Sequence, residues 1–497
     1  MADIEKIRKM INEELANWDL PSIGVGIVKD GEVVLAEGFG MANIEKNLAS
    51  NPDALYQIGS CSKAFTAAAC AKLVDMGKLE WDKPIHHYMP WVEFKDPFTT
   101  MNVTVRDLLC HRTGLPRHDA YWINGPQSRY ECVYNLRNMN PAWSFRSHWC
   151  YQNTCFVLAG MLVETLSGKS WEEFVQEEIF NPLGMTRSFF YVDDIANDDN
   201  ASVGYGRVMP TDLTGWKRVD FLKSDREDKA AGVGAPYGPA GSIISTVNDM
   251  LKWVQFNLNN GKVGDTQVIS EENMKELHKA QMLMSAALLV PFPEEDMYAY
   301  GMGWFIEMYR GHYRVQHGGN INGYTALVTM IPDQNLGIVT LINFDNGFMS
   351  YGASYQITDE FLGVEGGDWN NRWREIVKQV FASAPEQMKM LRGEKIEGTV
   401  PSHDLDAFTG TFRNATYGDV VIGKDENGLT FTYNKASSPL EHFHYDTFTI
   451  TDVHHLLSGM NVLFKTDKTG TVNELDIGIT LEPSLPDEAF IRVKEEA

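Results

Sequence analysis

The stretch QIGSCSKAFTAAACAKLVDMGKL, Gln57 to Leu79, constrains the fold more than any other part of the chain. It reads as a helix with a small, apolar face fit for burial, stopped by Gly77. A core must therefore be built around it. Yet the helix opens on Ser60 and, three residues on, Lys63. Residues at i and i+3 share a helix face. A serine hydroxyl is a poor nucleophile unless a base takes its proton, and a buried lysine loses proton affinity and can act as that base. The free N–H groups of a helix start can also hold an oxyanion. The plain alternative is an N-cap serine followed by a surface lysine.

The surroundings supply the core. Gly24 to Phe39 alternates about a turn at Lys29-Asp30-Gly31, a hairpin pattern. Helical segments follow: TVRDLLCHRTGL with Thr104 as N-cap, NTCFVLAGMLVETLSG ending at Gly168, and STVNDMLKWVQFNLNNG ending at Gly261. Late strands, YGMGWFIEMY, YRVQHGG, YTALVTMIP and LGIVTLINF, read as an antiparallel meander that closes the sheet begun at the N-terminus. Strands at both ends with helices between make an α+β layout. After residue 346 the texture changes. About 353 to 392 reads helical, GEKIEGTVPSHD reads as a linker, and about 405 to 493 is a run of short strands with Gly, Asn and Asp turns, predicting a separate small β-barrel or sandwich. The expected division is a catalytic domain over 1–355, a helical connector and linker over 356–400, and a β-barrel domain over 401–497.

Two further motifs bear on Ser60 and Lys63. In CYQNTCFVLAGM, Tyr151 and Asn153 stand just before an apolar helix. A phenol near an ammonium can shuttle a proton, and an amide can dock a carbonyl; the alternative is an aromatic helix entry capped by Asn153. In VQHGGNINGY, His317, Gly318 and Gly319 end a strand, where glycines let a ligand approach the backbone; the alternative is a turn. Taken together, Ser-x-x-Lys, Tyr-x-Asn and His-x-Gly in this order resemble the serine β-lactamase and penicillin-binding-protein superfamily, closest to its class C β-lactamase-like hydrolases and esterases. LYQIGSCSKAFTA, TVRDLLCHRTGLPRHD, IFNPLGMTRS, PAGSIISTVNDMLKW and YGMGWFIEMY add to the likeness, which covers roughly residues 5 to 350. The tail, from LDAFTGTFRN, resembles the lipocalin-like domain attached to some of these peptidases.

The resemblance implies a β-lactamase-like/transpeptidase fold, with an antiparallel sheet flanked by helices plus an all-helical region, followed by the barrel. It implies that Ser60 is acylated, that Lys63 is its base and that Tyr151 shuttles protons. Asn153 would contact substrate, and the N–H groups of Ser60 and Asn320 would form the oxyanion hole beside Gly318 and Gly319. His317 stands where the family usually has a lysine. A histidine there carries charge less reliably at neutral pH, which turns the expectation from penicillin toward small peptides, amides or esters, D-amino acid-containing peptides foremost. A carboxylesterase or β-lactamase of the same fold, or a non-catalytic sensor or scaffold, are the alternatives. In HRTGLPRHDAYW, His118 and Asp119 are candidates to touch substrate or to form a structural pair.

The formal net charge of −24 argues against nucleic acid or an anionic membrane as partner. No stretch reaches membrane-span length and the N-terminus has no signal-peptide core, so a cytoplasmic protein is expected. The six cysteines form no C-x-x-C pair and are expected to be free thiols. There is no G-x-S-x-G, H-E-x-x-H or phosphate loop, so no cofactor and no metal are expected. His442, His444, His454 and His455 could be read as a metal cluster, but half-exposed strand and turn residues fit them better. The partner expected is a small-molecule or peptide substrate; the oligomeric state stays open, a homo-oligomer included.

Overall fold

The structure is a computed structural model that describes residues 2–122, 128–207, 216–218, 236–285, 292–365, 367–434, 436–451, 457–480 and 485–494. Nine strands form one antiparallel sheet. They are β1 (Ser22–Lys29), β2 (Glu32–Asn43), β3 (Leu48–Ala49), β4 (Met282–Leu283), β5 (Glu295–Tyr300), β6 (Phe305–Tyr309), β7 (His312–Ile321), β8 (Tyr324–Ile331) and β9 (Leu336–Ile342). Their order is β4-β5-β6-β7-β8-β9-β1-β2-β3. The N-terminal hairpin therefore joins the late meander through β1 against β9, with Gly26 opposite Val339 and Val28 opposite Gly337.

The period of two in β1 sends Ile23, Val25 and Ile27 to one face and Gly24 and Gly26 to the other. On the glycine face, helix Val247–Leu258 lies directly on the strands. A Cβ at Gly24 would stand 2.6 Å from Val247, and one at Gly337 2.1 Å from Val254. The opposite face is covered by helices Ile4–Asn17, Met349–Leu362 and Trp369–Arg392, with Ile7, Ile11, Trp369 and Trp373 in that core. Helix Met349–Leu362 runs through residue 355, so the expected end of the catalytic domain falls inside an element packed on the sheet.

Helix Ser62–Asp75 is buried at every residue from Ser62 to Ala71. Phe65 stacks on Trp253 with centroids 4.0 Å apart. Its alanines let helix Asn153–Ser167 close over the other side, and that helix ends on Gly168 in the left-handed region as read. Thr104 caps helix Val105–Leu109 through a capping box with Asp107.

Residues Gly410 to Arg492 form a closed barrel of eight antiparallel strands, sealed by Phe412 against Arg492. Its interior is filled by side chains. Phe408, Phe412, Phe448 and Phe464 meet edge-on with centroids 5.0 to 6.0 Å apart, and Phe431, Leu475 and Phe490 are fully buried. Among the described residues no three metal-binding side chains converge. His442 meets the carbonyl of Tyr445 and His444 the N–H of Ile396. His454 and His455 lie outside the described residues. No helix among the described residues is long and apolar enough to cross a membrane.

Candidate active site

Ser60 lies in a 3₁₀ turn, Gly59–Cys61, that runs straight into helix Ser62–Asp75. The helical run therefore does place Ser60 and Lys63 on one face. Lys63 Nζ is 2.9 Å from Ser60 Oγ and donates to the Ala240 carbonyl at 2.7 Å. Ser60 keeps some exposure while Lys63 has none. Burial, aided by the nearby Arg117 charge, holds the Lys63 ammonium well below the usual lysine range; Asp119 and Cys61 oppose this more weakly. A lysine so placed gives up its proton more readily than an exposed one.

Lys63 Nζ stands 4.8 Å from the Tyr151 ring centroid, and the Tyr151 hydroxyl faces Ser60. Burial raises the phenol well above the usual tyrosine range, with Arg117 and Ser60 pulling the other way. An amine of lowered proton affinity and a phenol of raised proton affinity thus flank the hydroxyl. Tyr151 is wedged among aromatic rings, His111 at 4.3 Å and Trp149 at 6.0 Å. Asn153 is the first residue of its helix rather than the cap. Gln152 caps it, accepting from Thr154 N–H at 2.9 Å, while the Gln152 N–H donates to His111 Nδ1. Asn153 Nδ2 donates to Asp119 Oδ1 at 3.3 Å.

Strand β7 brings His317, Gly318 and Gly319 against the Ser60 turn. A Cβ at Gly319 would lie 1.9 Å from the Ile58 carbonyl and 2.9 Å from Ser60 N, so only glycine fits between the strand and the turn. Gly59 is left-handed at φ 49° and abuts Asn320 N. The main chains that carry the expected oxyanion donors, Ser60 and Asn320, are therefore in contact. A Cβ at Gly318 would stand 2.6 Å from the Tyr351 hydroxyl. The Asn320 amide is spent on the neighbouring loop, donating to Asp345 and accepting from Thr325.

His317 differs from its expectation. Its Nδ1 faces the Gly318 carbonyl at 2.6 Å, so Nδ1 carries the proton, and Nε2 accepts from the Tyr300 hydroxyl at 2.8 Å. Burial, with Lys63 nearby, lowers its pKa to about 3. A titration near neutrality, as expected for a histidine in this position, does not fit these surroundings: the ring stays neutral and braced. His118 departs as well. It does not pair with Asp119 but has both nitrogens taken elsewhere, Nε2 by the Asn140 carbonyl and Nδ1 by Tyr417 of the barrel. Asp119 does belong to the cleft, between Arg117 at 2.5 Å and Asn153.

Arg117, His111 and Tyr300 were not singled out by the sequence reading. Arg117 lies 4.8 Å over the Tyr151 ring with a half-exposed side chain. The only signal for it was a cation two residues before Asp119. The six cysteines are free and buried, and burial pushes the Cys61 thiol up to about 12, which leaves it a poor nucleophile.

A family model described as Beta-lactamase matches residues 7–358, and one described as a domain of unknown function, DUF3471, matches 394–493. The unguisins hydrolase ungD' of Aspergillus campestris is 27% identical over an alignment covering 98% of this chain and 91% of that protein. Two solved structures share the fold. The octameric penicillin-binding protein homologue from Pyrococcus abyssi has a TM-score of 0.62 and 23% identity, covering 99% of this chain and 100% of that one. The D-amino acid amidase from Ochrobactrum anthropi SV3, complexed with L-phenylalanine amide, has a TM-score of 0.56 and 21% identity, covering 72% and 96%.

Proposed function

The chain belongs to the beta-lactamase family and is a serine hydrolase, and from that footing we propose that Ser60 is its nucleophile, acting through an acyl-enzyme on small peptides, amides or esters, D-amino acid-containing peptides foremost. The observation that carries the reading is the buried Lys63 amine 2.9 Å from Ser60 Oγ at the start of a helix. In the proposed reaction Lys63 takes the Ser60 proton as Oγ bonds to the substrate carbonyl carbon. The oxyanion is held by the N–H groups of Ser60 and Asn320. The tetrahedral species collapses by breaking the bond to the amine or alkoxide, which leaves with a proton passed through Tyr151 from Lys63. Water then attacks the ester, giving its proton back through the same pair, and the acid is released with Ser60 reprotonated. In this reading Asn153 and Asp119, which contact each other beside Tyr151, hold a substrate amide.

The neutral, braced His317 supports the turn away from penicillins, since it supplies no cation for a carboxylate. The similarity to a D-amino acid amidase supports amide-bond substrates, and that to the unguisins hydrolase supports hydrolysis. The reading divides the chain into a catalytic unit over about 1–355, a helical connector and the barrel. It also includes self-assembly, as in the octameric penicillin-binding protein homologue, which light scattering would check.

The test is a panel of p-nitrophenyl esters, D- and L-amino acid amides and nitrocefin, with intact mass measured after reaction. Wild-type protein should turn over an ester or D-amino acid amide and show acylation at Ser60. Ser60→Ala should lose labelling and at least about 10⁴-fold in kcat/KM. Intact labelling in that variant, or nitrocefin or added benzylpenicillin outrunning every amide and ester, would sink the reading.

A further inference from the structure

The segment from Leu115 to Tyr121 is a strap between the cleft and the barrel, and its successive residues serve opposite sides. Arg117 and Asp119 belong to the cleft. Arg117 Nε donates to Asp119 Oδ2 at 2.5 Å, its guanidinium covers the Tyr151 ring, and Asp119 Oδ1 accepts from Asn153. His118 and Ala120 belong to the barrel. The Tyr417 hydroxyl donates to His118 Nδ1 at 2.6 Å, the direction being set because Nε2 faces a carbonyl and must donate. The Tyr433 hydroxyl donates to the Ala120 carbonyl at 3.3 Å, and Ala120 itself is fully buried in the barrel's apolar core. The backbone of His118 is left-handed, φ 48°, a conformation that a non-glycine residue keeps only when its surroundings hold it.

We propose that Tyr417 and Tyr433 are positioning residues of the active site, holding the strap from behind so that Arg117 and Asp119 stand against Tyr151 and Asn153. The proposal rests on the catalytic reading of Ser60, Lys63 and Tyr151. Neither tyrosine is placed among the reacting groups; each acts through the strap. The consequence is electrostatic. Lys63 faces Arg117 and Asp119 from the strap, the Cys61 thiol and the Tyr151 ring from the cleft, and the imidazoles of His111 and His317, both held neutral by burial. Of these partners Arg117 contributes most to holding the ammonium down. A strap that drifts from Tyr151 carries Arg117 away, so Lys63 regains proton affinity and is deprotonated only at higher pH.

The experiment uses the full chain. Tyr417→Phe and Tyr433→Phe are made alone and with Arg117→Met, and Ser60 modification by a neutral fluorophosphonate is timed from pH 5 to 10, with thermal melts alongside. The expected result for Tyr417→Phe is a loss of about 10-fold at neutral pH, an acid limb moved to higher pH, and recovery at alkaline pH. In the Arg117→Met background the same change should cost less than about 2-fold, the non-additivity of residues that act through one another. If Tyr417→Phe does not fold, Tyr433→Phe carries the same comparison with a smaller loss. Folded variants with wild-type rates and limb, or losses equal at every pH and additive with Arg117→Met, would overturn the proposal. That outcome with Ser60→Ala still unlabelled would leave the catalytic reading standing. Failure of wild-type protein to label at Ser60 would overturn both.

Discussion

The sheet-and-helix body and the barrel solve the problem of a core in opposite ways. The body buries Lys63, Asp107, His111, Arg314, His317 and Asp359 among its apolar side chains. Each costs desolvation free energy that must be offset by partners. Asp107 is held by Arg112 and Arg146, and Asp359 by Arg310, Tyr309 and Trp369. The barrel interior is aromatic and aliphatic, and among its described residues the buried ionisable side chains are the Glu488 carboxyl and the Tyr417 and Tyr433 phenols. The difference teaches where chemistry can reside. Perturbed proton affinities gather where titratable groups are buried together, and the body clusters a lysine, histidines and carboxylates in its core while the described part of the barrel buries a single carboxylate. On the proposal above, the barrel influences catalysis through where it holds the strap.

The sharpest way to break this comparison is at Lys63. Lys63→Met should lose about 10³-fold or more in kcat/KM, and adding Tyr151→Phe should cost little further, as expected of two groups proposed to form one proton-handling unit. Its stability should move by a definite sign. The folded-state pKa of Lys63 is depressed, so between that value and the unfolded value near 10.4 the unfolded chain binds the extra proton, and wild-type stability rises with pH relative to the variant. The gap between the two melting curves should therefore shift in favour of the wild type as pH is raised from 7 to 10. A gap independent of pH would show that Lys63 is charged in the folded protein.

The barrel should respond in the other currency, stability alone. Phe464→Ala removes a ring packed edge-on against Phe408 and Phe448 and should cost about 3–5 kcal/mol. Calorimetry should show the loss, while Ser60 labelling, measured below the melt, stays within about 3-fold. A collapse of labelling in a folded barrel variant would mean that the barrel does more than hold the strap.

The smallest effect is expected at His317. Whatever acid limb the rate shows between pH 5 and 8 should persist in His317→Asn, because the imidazole titrates near 3 and is not its source. Loss of the limb in that variant would return His317 to the proton chemistry.

Those contrasts also mark what could be read from the residues alone. Ser60 and Lys63 were legible because i, i+3 geometry is local. The hairpin, the meander and the run of short strands were legible because a period of two and turn residues are local too. The state of His317 was not, since it is fixed by the hydroxyl of Tyr300, seventeen residues away and on another strand. His118 was misplaced for the same reason. Its neighbour Asp119 turns into the cleft while it turns to a residue 299 positions later. Nothing in PRHD distinguishes the two directions before the barrel is docked.

That separation of 299 positions has a meaning in time. A ribosome adding about 5–20 residues per second delivers Tyr417 about 15–60 s after His118. Once Tyr151 has followed, the emerging chain carries the proposed nucleophile, base and phenol, and the strap has Asn140 and Asn153 as partners but not yet the barrel tyrosines. On the proposal that Tyr417 and Tyr433 position the strap, the hydrolase matures with the arrival of its own C-terminal portion, and a chain abandoned partway through translation is released without a tuned active site.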